Sequence, residues 1–412
     1  MLKYSFDASA ILDAWVRYYP IDLFPSFWDR FKEINIFYHC RLTIGIYFVY
    51  LSTYTTKTMK YIFANRLIAA RKMAGLSLQN LADKLGNVIT KQSLNKYEQG
   101  KMKPDSNLII QLANILNVSV DYFFASPEVE IHLTNVDFRK YSSKLRKSEE
   151  NAIIEKSKDV LERYIELEQI INLYETTEYF EYHKTILTVD DAENAAKDLR
   201  NQWNLGYDPI PDIVKMLEDK GYVVIEVEAS KDFDGMKGEV GDKKIIVLRK
   251  DYNGDVVRKR FTALHELAHH SLSCSVELSE KDKEKLCHVF ASAVLYPEEM
   301  AIKELHRDRF HFYQKELEII KERWGISFPA IFKRALQLGI INEYVYRILN
   351  MDYRSRRLHL NEPAIFLSKE KPVKFERLIY FALGKELISV NDAAFYSGKS
   401  VWEFREQLYQ LV

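Results

Sequence analysis

The sequence predicts an α+β chain that is mostly helical: an all-α N-terminal domain, then a domain with a small sheet and a helical C-terminal region. Three observations carry this. Short amphipathic patterns with helical spacing recur between residues 61 and 126, separated by turn residues. Two apolar runs of strand length, Tyr222–Val227 and Lys244–Leu248, stand ahead of an apolar-faced helical segment that begins at Arg260. Between them, residues 137–185 form a highly charged run with helical spacing and little Gly or Pro. At about 150 residues per domain, 412 residues predict two or three domains.

Composition narrows the class. Hydrophobic residues make up 47% and charged residues 29%, which excludes disordered and low-complexity chains. Lys plus Arg and Asp plus Glu both number 59, so no whole-molecule field draws the chain to nucleic acid or membrane. Three cysteines are too few for a disulfide framework, and a reducing compartment fits them. The most apolar run, Leu42–Leu51, falls well short of the ~20 residues that span a bilayer. The first residues lack a signal-peptide layout. The expectation is a cytoplasmic protein with no membrane partner.

Residues 1–60 are aromatic and irregular, and read as an N-terminal extension. Residues 61–126 read as five short helices. Leu67, Ile68, Ala70 and Met73 share a face in Asn65–Ala74, which Gly75 stops. Ser77 caps Leu78–Leu85, and Gly86 ends it. Thr90 caps Lys91–Glu98, ended by Gly100. Pro104 and Asp105 open Leu108–Leu116, and Val120–Phe124 closes the unit. Two helices joined by a short turn, the second polar and cation-bearing, form a helix-turn-helix pattern.

Local charge agrees. Between 61 and 126, eight basic residues face four acidic ones, a patch of +4 in a neutral chain. On the third helix, Gln92, Ser93 and Asn95 both donate and accept, as base readout requires, while Lys91 and Lys96 suit phosphates. The pattern Ser77-Leu78-x-x-Leu81-Ala82 and the exit Tyr97-Glu98-x-Gly100-x-x-x-Pro104 resemble the XRE (lambda-repressor/Cro-like) helix-turn-helix family over about 60 residues. The resemblance implies double-stranded operator DNA as partner. The alternative is a small helical bundle used for protein contacts.

Residues 127–185 read as a charged helical linker. Ile153, Ile154, Val160, Leu161, Ile165, Leu167 and Ile170 carry its apolar positions, with Glu and Lys on the remaining face. A solvated connecting helix is the favoured reading. A dimer-forming helix competes with it, because regulators of this kind bind two half-sites, and a homodimer is then expected.

The sharpest signal is His265-Glu266-Leu267-Ala268-His269. On a helix, His265 and His269 project from one face and can grip one cation. Glu266 stands beside them, able to take a proton from a water and hand it to a leaving amine. His270 lies about 140° round the helix from His265, a poor ligand direction, so it reads as a residue behind the ligands. Catalytic zinc takes three protein ligands. The next helix offers Glu280, Glu284 and His288 on one face, and spacing alone does not choose between Glu280 and Glu284.

The segments RKRFTALHELAHHSL and EKLCHVFASAVLYP resemble the ImmA/IrrE family of zinc metallopeptidase domains. That family's second motif runs here through Glu284, Cys287, His288, Phe290-Ala291, Leu295 and Pro297, with Val294 and Tyr296 replacing the common Leu and Met. The resemblance implies a zincin-like fold, Zn²⁺ held by His265, His269 and Glu284, and Glu266 as general base. His288 stands where Asn is frequent, and would orient Glu284 or donate to the transition state. The core is expected at 186–300 and a helical C-terminal region at 301–412. Together with the XRE part, the resemblance covers about 85% of the chain, and this fusion is a recognised architecture.

The opening MLKYSFDASAILDAW resembles the start of PIN-like ribonuclease toxins, with Asp7 where a strand ends, but it is too short for such a domain. It reads as a fusion remnant, or alternatively as an unrelated extension. The leading expectation is a DNA-binding regulator, of a toxin–antitoxin or stress operon, whose zinc peptidase domain cleaves a protein partner: a repressor or a cognate toxin, PIN-like in one version. The alternative is an antitoxin-type repressor that binds DNA and toxin without using the metal site for proteolysis. Metal-dependent hydrolysis of a small molecule is a weaker third.

Overall fold

The computed structural model describes residues 61–412, apart from 87, 126–130, 139–144, 174–176, 253–254 and 410–412. The chain divides into two units, Met1–Tyr61 and Ile62–Val412. The readings of residues 1–60 lie outside the described residues. The fold is α+β and mostly helical, as the sequence predicts.

The first helices close on their own core. They are α1 (61–73), α2 (Leu78–Lys84), α3 (Lys91–Glu98) and α4 (Ser106–Leu116), followed by a 3-10 turn at Asp121–Phe123. Ser77, Thr90 and Asp105 each accept a backbone N–H from the first turn of the helix they precede, the caps expected from such residues. Phe63, Leu67, Leu81, Leu94, Leu112 and Phe123 fill the space between these helices.

A four-stranded sheet of order β1-β4-β5-β3 follows: β1 (Thr134–Phe138), β3 (Val223–Val227), β4 (Gly235–Val240) and β5 (Lys243–Arg249). β3 and β5 are parallel, while β4 runs antiparallel to β5 and β1 antiparallel to β4. β3 and β5 are buried on both faces, which explains their unbroken apolar text. A separate parallel pair joins β2 (Tyr182–Ile186) and β6 (Leu272–Cys274).

Helices cover both faces of the larger sheet. On one side lie α6 (Val189–Gln202), α7 (Ile213–Asp219), α8 (Val256–Ser271) and α9 (Glu280–Leu295), packed on Val224, Ile246 and Leu248. On the other lies α5 (Lys147–Ile171), joined by α14 (Lys374–Gly384), α15 (Val390–Ser397) and α16 (Val401–Tyr409) on Val223, Ile225 and Val247. A further core joins α10 (Glu298–Leu305), α11 (Gln314–Trp324), α12 (Phe328–Gln337) and α13 (Glu343–Ser355) around Trp324 and Phe332.

The charged run departs from its reading as one solvated helix. Within it α5 is helical, but β1 and β2 flank it as strands. The apolar face of α5 is buried inside the chain: Ile153, Leu161, Ile165 and Leu167 pack with Leu378, Ile379 and Phe404, more than 200 residues on. Charge on the remaining face concealed a core helix. Among the described residues, no helix is long and apolar enough to cross a membrane.

Candidate metal centre and nucleic-acid interface

α8 begins at a cap in which Asp255 accepts the Arg258 N–H, and α9 at one in which Ser279 accepts the Asp282 N–H. The two helices pack against each other and bring together residues 265, 269 and 284. α8 is buried almost all round, because it lies between the sheet and α9. Arg260, fully buried one turn before His265, is held by the equally buried Glu370, which also accepts the first N–H groups of α7. This latch fixes the helix that carries the histidines.

The ligating atoms converge. His265 Nε2 lies 3.0 Å from His269 Nε2 and 3.2 Å from Glu284 Oε2, and His269 Nε2 lies 3.3 Å from Glu284 Oε1. Tetrahedral ligands at about 2.0–2.1 Å from a zinc ion stand roughly 3.3 Å apart, so an ion of that size fits between these three atoms. Two imidazoles and one carboxylate also form a donor set of hydrolytic zinc. Among the described residues they are the one group of three or more His, Cys, Asp and Glu side chains with this closeness. Burial disfavours ionisation of Glu284, but hydrogen bonds and charge from His265 and His269 outweigh it and hold the carboxyl far below the usual range. Glu280 is exposed and paired with Lys283 at 3.1 Å instead.

Glu266 is 1% exposed, on the side of α8 that meets β4. His288 is half-buried, with its ring centroid 4.6 Å from that of His265. His270 sits against the sheet, Nε2 2.9 Å from the Ile245 carbonyl, and burial pushes its pKa down to about 4. Cys287 Sγ approaches His269 Nδ1 at 3.9 Å. Sequence alone does not point to Gly235. A Cβ there would lie 2.7 Å from Thr262 Cγ2 and 3.3 Å from Glu266 Cγ, so only glycine lets β4 pass this close to the motif.

On α3, Lys91, Gln92, Asn95 and Lys96 are exposed, while Leu94 and Tyr97 turn into the core. Ser93 is half-buried, its hydroxyl 3.1 Å from that of Thr90 at the cap. Three of the eight basic residues are tied to carboxylates. Arg71 holds Glu98 through two hydrogen bonds, Arg66 holds Glu162 at 2.9 Å, and Lys72 meets Glu155 at 3.4 Å. The exposed cations left to meet phosphates are Lys84, Lys91, Lys96, Lys101 and Lys103.

Comparison with known proteins falls on these same elements. Residues 67–123 match the helix-turn-helix family, and residues 218–336 match the IrrE N-terminal-like domain of the M78 peptidases. Residues 4–36 match a domain of unknown function, DUF4411. Three relatives come from Bacillus subtilis (strain 168). The SPbeta prophage-derived uncharacterized HTH-type transcriptional regulator YonR is 39% identical over 75 residues, 18% of this chain and 68% of that protein. The uncharacterized HTH-type transcriptional regulator YqaE is 44% identical over 61 residues, 15% of this chain and 51% of its own length. The HTH-type transcriptional regulator ImmR is 38% identical over 64 residues, 16% of this chain and 49% of its own. The chain thus spans about half of the latter two. With the helix-turn-helix match on α1–α4 and the peptidase match across α8 and α9, the chain belongs to the DNA-binding, XRE-type transcriptional regulators and carries an IrrE-like peptidase domain in the same polypeptide.

Proposed function

We propose that the peptidase domain is a zinc-dependent endopeptidase that cuts a protein partner of the regulator, in the cytoplasm, within a toxin–antitoxin or stress operon. One observation carries this reading: three ligating atoms within 4.8 Å of one another, with Glu266 next to His265 in the chain. A site serving structure alone has no need of that carboxylate.

His265, His269 and Glu284 would hold the ion. Zinc, when bound, polarises a scissile carbonyl and lowers the pKa of a water. Glu266 takes the proton from the attacking water and passes it to the departing amine, a role its position beside His265 suits. Burial of His265 and Glu266 keeps bulk water from competing for that proton. His288, its ring tilted against that of His265, steadies that ring or donates to the developing oxyanion. α3 reads the operator through Gln92, Ser93 and Asn95, with Lys91 and Lys96 on phosphates, and half-site pairing makes a homodimer the DNA-bound form.

The test is incubation of zinc-loaded protein with the products of neighbouring genes, beside Glu266→Gln. Fragments that form only with the unmutated chain support the reading. Partners that co-purify with both forms and stay whole favour an antitoxin acting by binding.

A further inference from the structure

β4 runs beside the reacting groups. Gly235 opens it against Thr262 and Glu266, and two residues on Lys237 Nζ donates to the His269 carbonyl at 3.0 Å. One edge of β4 is taken by β5, from Gly235 opposite Leu248 to Val240 opposite Lys243. The other edge offers a row of N–H and C=O groups, a template on which an extended polypeptide can pair. In this chain that edge is filled by β1, with Thr134 opposite Glu239, Asp137 opposite Lys237 and Phe138 opposite Met236.

β1 is an irregular sheet member, although Leu133 and Val136 pack against the core. It has five residues, and its register breaks between Thr134 and Asp137. Asn135 sits at a φ of +50°, a left-handed conformation foreign to a strand. Thr134 and Asn135 are exposed, and their side-chain ties run to one residue: Asn135 Nδ2 donates to Glu239 Oε2 at 2.5 Å, and Thr134 Oγ1 to the Glu239 carbonyl at 3.4 Å. Leu133 lies over Gly238, where a Cβ would come within 2.8 Å of Leu133 Cδ1. No described strand pairs with β1 on its outer side. The strand also lies outside residues 218–336, in the stretch that leads from the DNA-binding helices to α5.

We propose that β1 is an autoinhibitory strand: it occupies the β4 edge on which an extended polypeptide substrate pairs, and must leave before the site accepts one. This rests on the peptidase reading above. The incoming partner is an unfolded or extended stretch of protein held by main-chain hydrogen bonds running antiparallel to β4. Its own affinity for the edge competes with five irregularly paired residues of the chain, so a tightly pairing segment opens the site and a folded surface does not.

The test uses the full zinc-loaded chain and fluorescein-labelled β-casein as the extended polypeptide. Asn135→Pro loosens β1, since proline cannot adopt φ of +50°. Thr134→Cys with Glu239→Cys ties β1 to β4, because these residues face each other across the pair. The bond is verified by mass, with the unmutated chain taken through the same oxidation and reduction. Loss of one net hydrogen bond shifts the open fraction about fivefold, so Asn135→Pro should cleave about fivefold faster. The tied form should cleave far more slowly and recover on reduction. Equal rates for tied and reduced forms would overturn the proposal, even if Asn135→Pro fails to fold.

If no form cuts casein, the peptidase reading fails separately, and hydrogen exchange decides the strand's role. In the Glu266→Gln chain, casein should speed exchange at 134–138 while 236–240 stay protected. Exchange unchanged by casein would overturn the proposal.

Discussion

Arg66, on the first DNA-binding helix, donates to Glu162 on α5 at 2.9 Å, joining the helix-turn-helix to the far side of the peptidase sheet. The same guanidinium donates to the Ala125 carbonyl and lies over the Tyr122 ring. Lys72 and Glu155 make a second, longer tie about two turns away. α3 stays exposed in this arrangement, so docking to α5 does not cover the reading surface.

Glu162→Ala should therefore loosen the DNA-binding helices without touching the metal cluster. It leaves the buried Arg66 cation without its carboxylate, at a cost of about 1–3 kcal/mol. Hydrogen exchange should quicken across α1–α4 and stay unchanged in α8 and α9. Uniform quickening through the whole chain would show that the two parts do not open separately.

Base and phosphate contacts should separate on α3. Gln92→Ala should relax sequence preference while leaving the salt dependence of binding as it was. Lys91→Ala should weaken binding to every sequence and reduce the slope of log affinity against log salt by about 1. Binding isotherms at several salt concentrations, on operator and on random duplex, check both. Ser93 is the weaker candidate, because its hydroxyl is engaged with the Thr90 cap.

Acid sensitivity should appear at the start of α6. Asp191 accepts the Leu187 and Thr188 N–H groups and the Thr188 hydroxyl, while Thr188 accepts the Asp191 N–H. The Leu187 and Thr188 bonds hold the Asp191 carboxyl below its ordinary value. A carboxyl depressed in the folded state adds stability above its unfolded pKa and loses it as pH falls through the folded value. Asp191→Ala should cost roughly 1 kcal/mol in urea unfolding at pH 7. The gap from the unmutated chain should shrink below pH ~4. A gap that does not narrow at all as pH falls from about 5 through the carboxylate range would contradict the assignment.

Gly235→Ala should be poorly tolerated. Its Cβ would press on Thr262 and Glu266, and overpacking of this kind costs about 1–3 kcal/mol. Proteolysis should fall further than stability does, because the displaced group is the proposed base. An alanine variant as active and as stable as the parent would place β4 farther from α8 than the structure does.

What the sequence makes legible is local. The caps at Ser77, Thr90 and Asp105 mark the DNA-binding helices, with α3 running from Lys91 to Glu98 as its cap and Gly100 require. The apolar runs at 222–227 and 244–248 give β3 and β5, since both are buried on two faces. Four-residue spacing places His265 and His269 on one side of α8. Hidden from the sequence is what depends on distant partners. β1 pairs with a strand about 100 residues away, and the alternation in its TNVDF text is only five residues long, too short to stand out from the charged run that follows it. β2 buries only its two ends. The apolar stripe of α5 looks like a connector's because the helices it meets lie at 374–409. Spacing could not choose between Glu280 and Glu284, whereas the packing of α9 on α8 turns Glu284 toward both imidazoles.

The metal centre itself is tested most directly by X-ray absorption at the zinc edge on protein loaded with one equivalent of zinc. Ligation by His265, His269 and Glu284 predicts imidazole nitrogens at about 2.0–2.1 Å and a carboxylate oxygen at about 2.0–2.2 Å, with no sulfur. Cys287 lies against His269, so the contrary arrangement has a definite signature. A sulfur shell at about 2.3 Å would replace the proposed hydrolytic ligand set with a thiolate site and contradict the account.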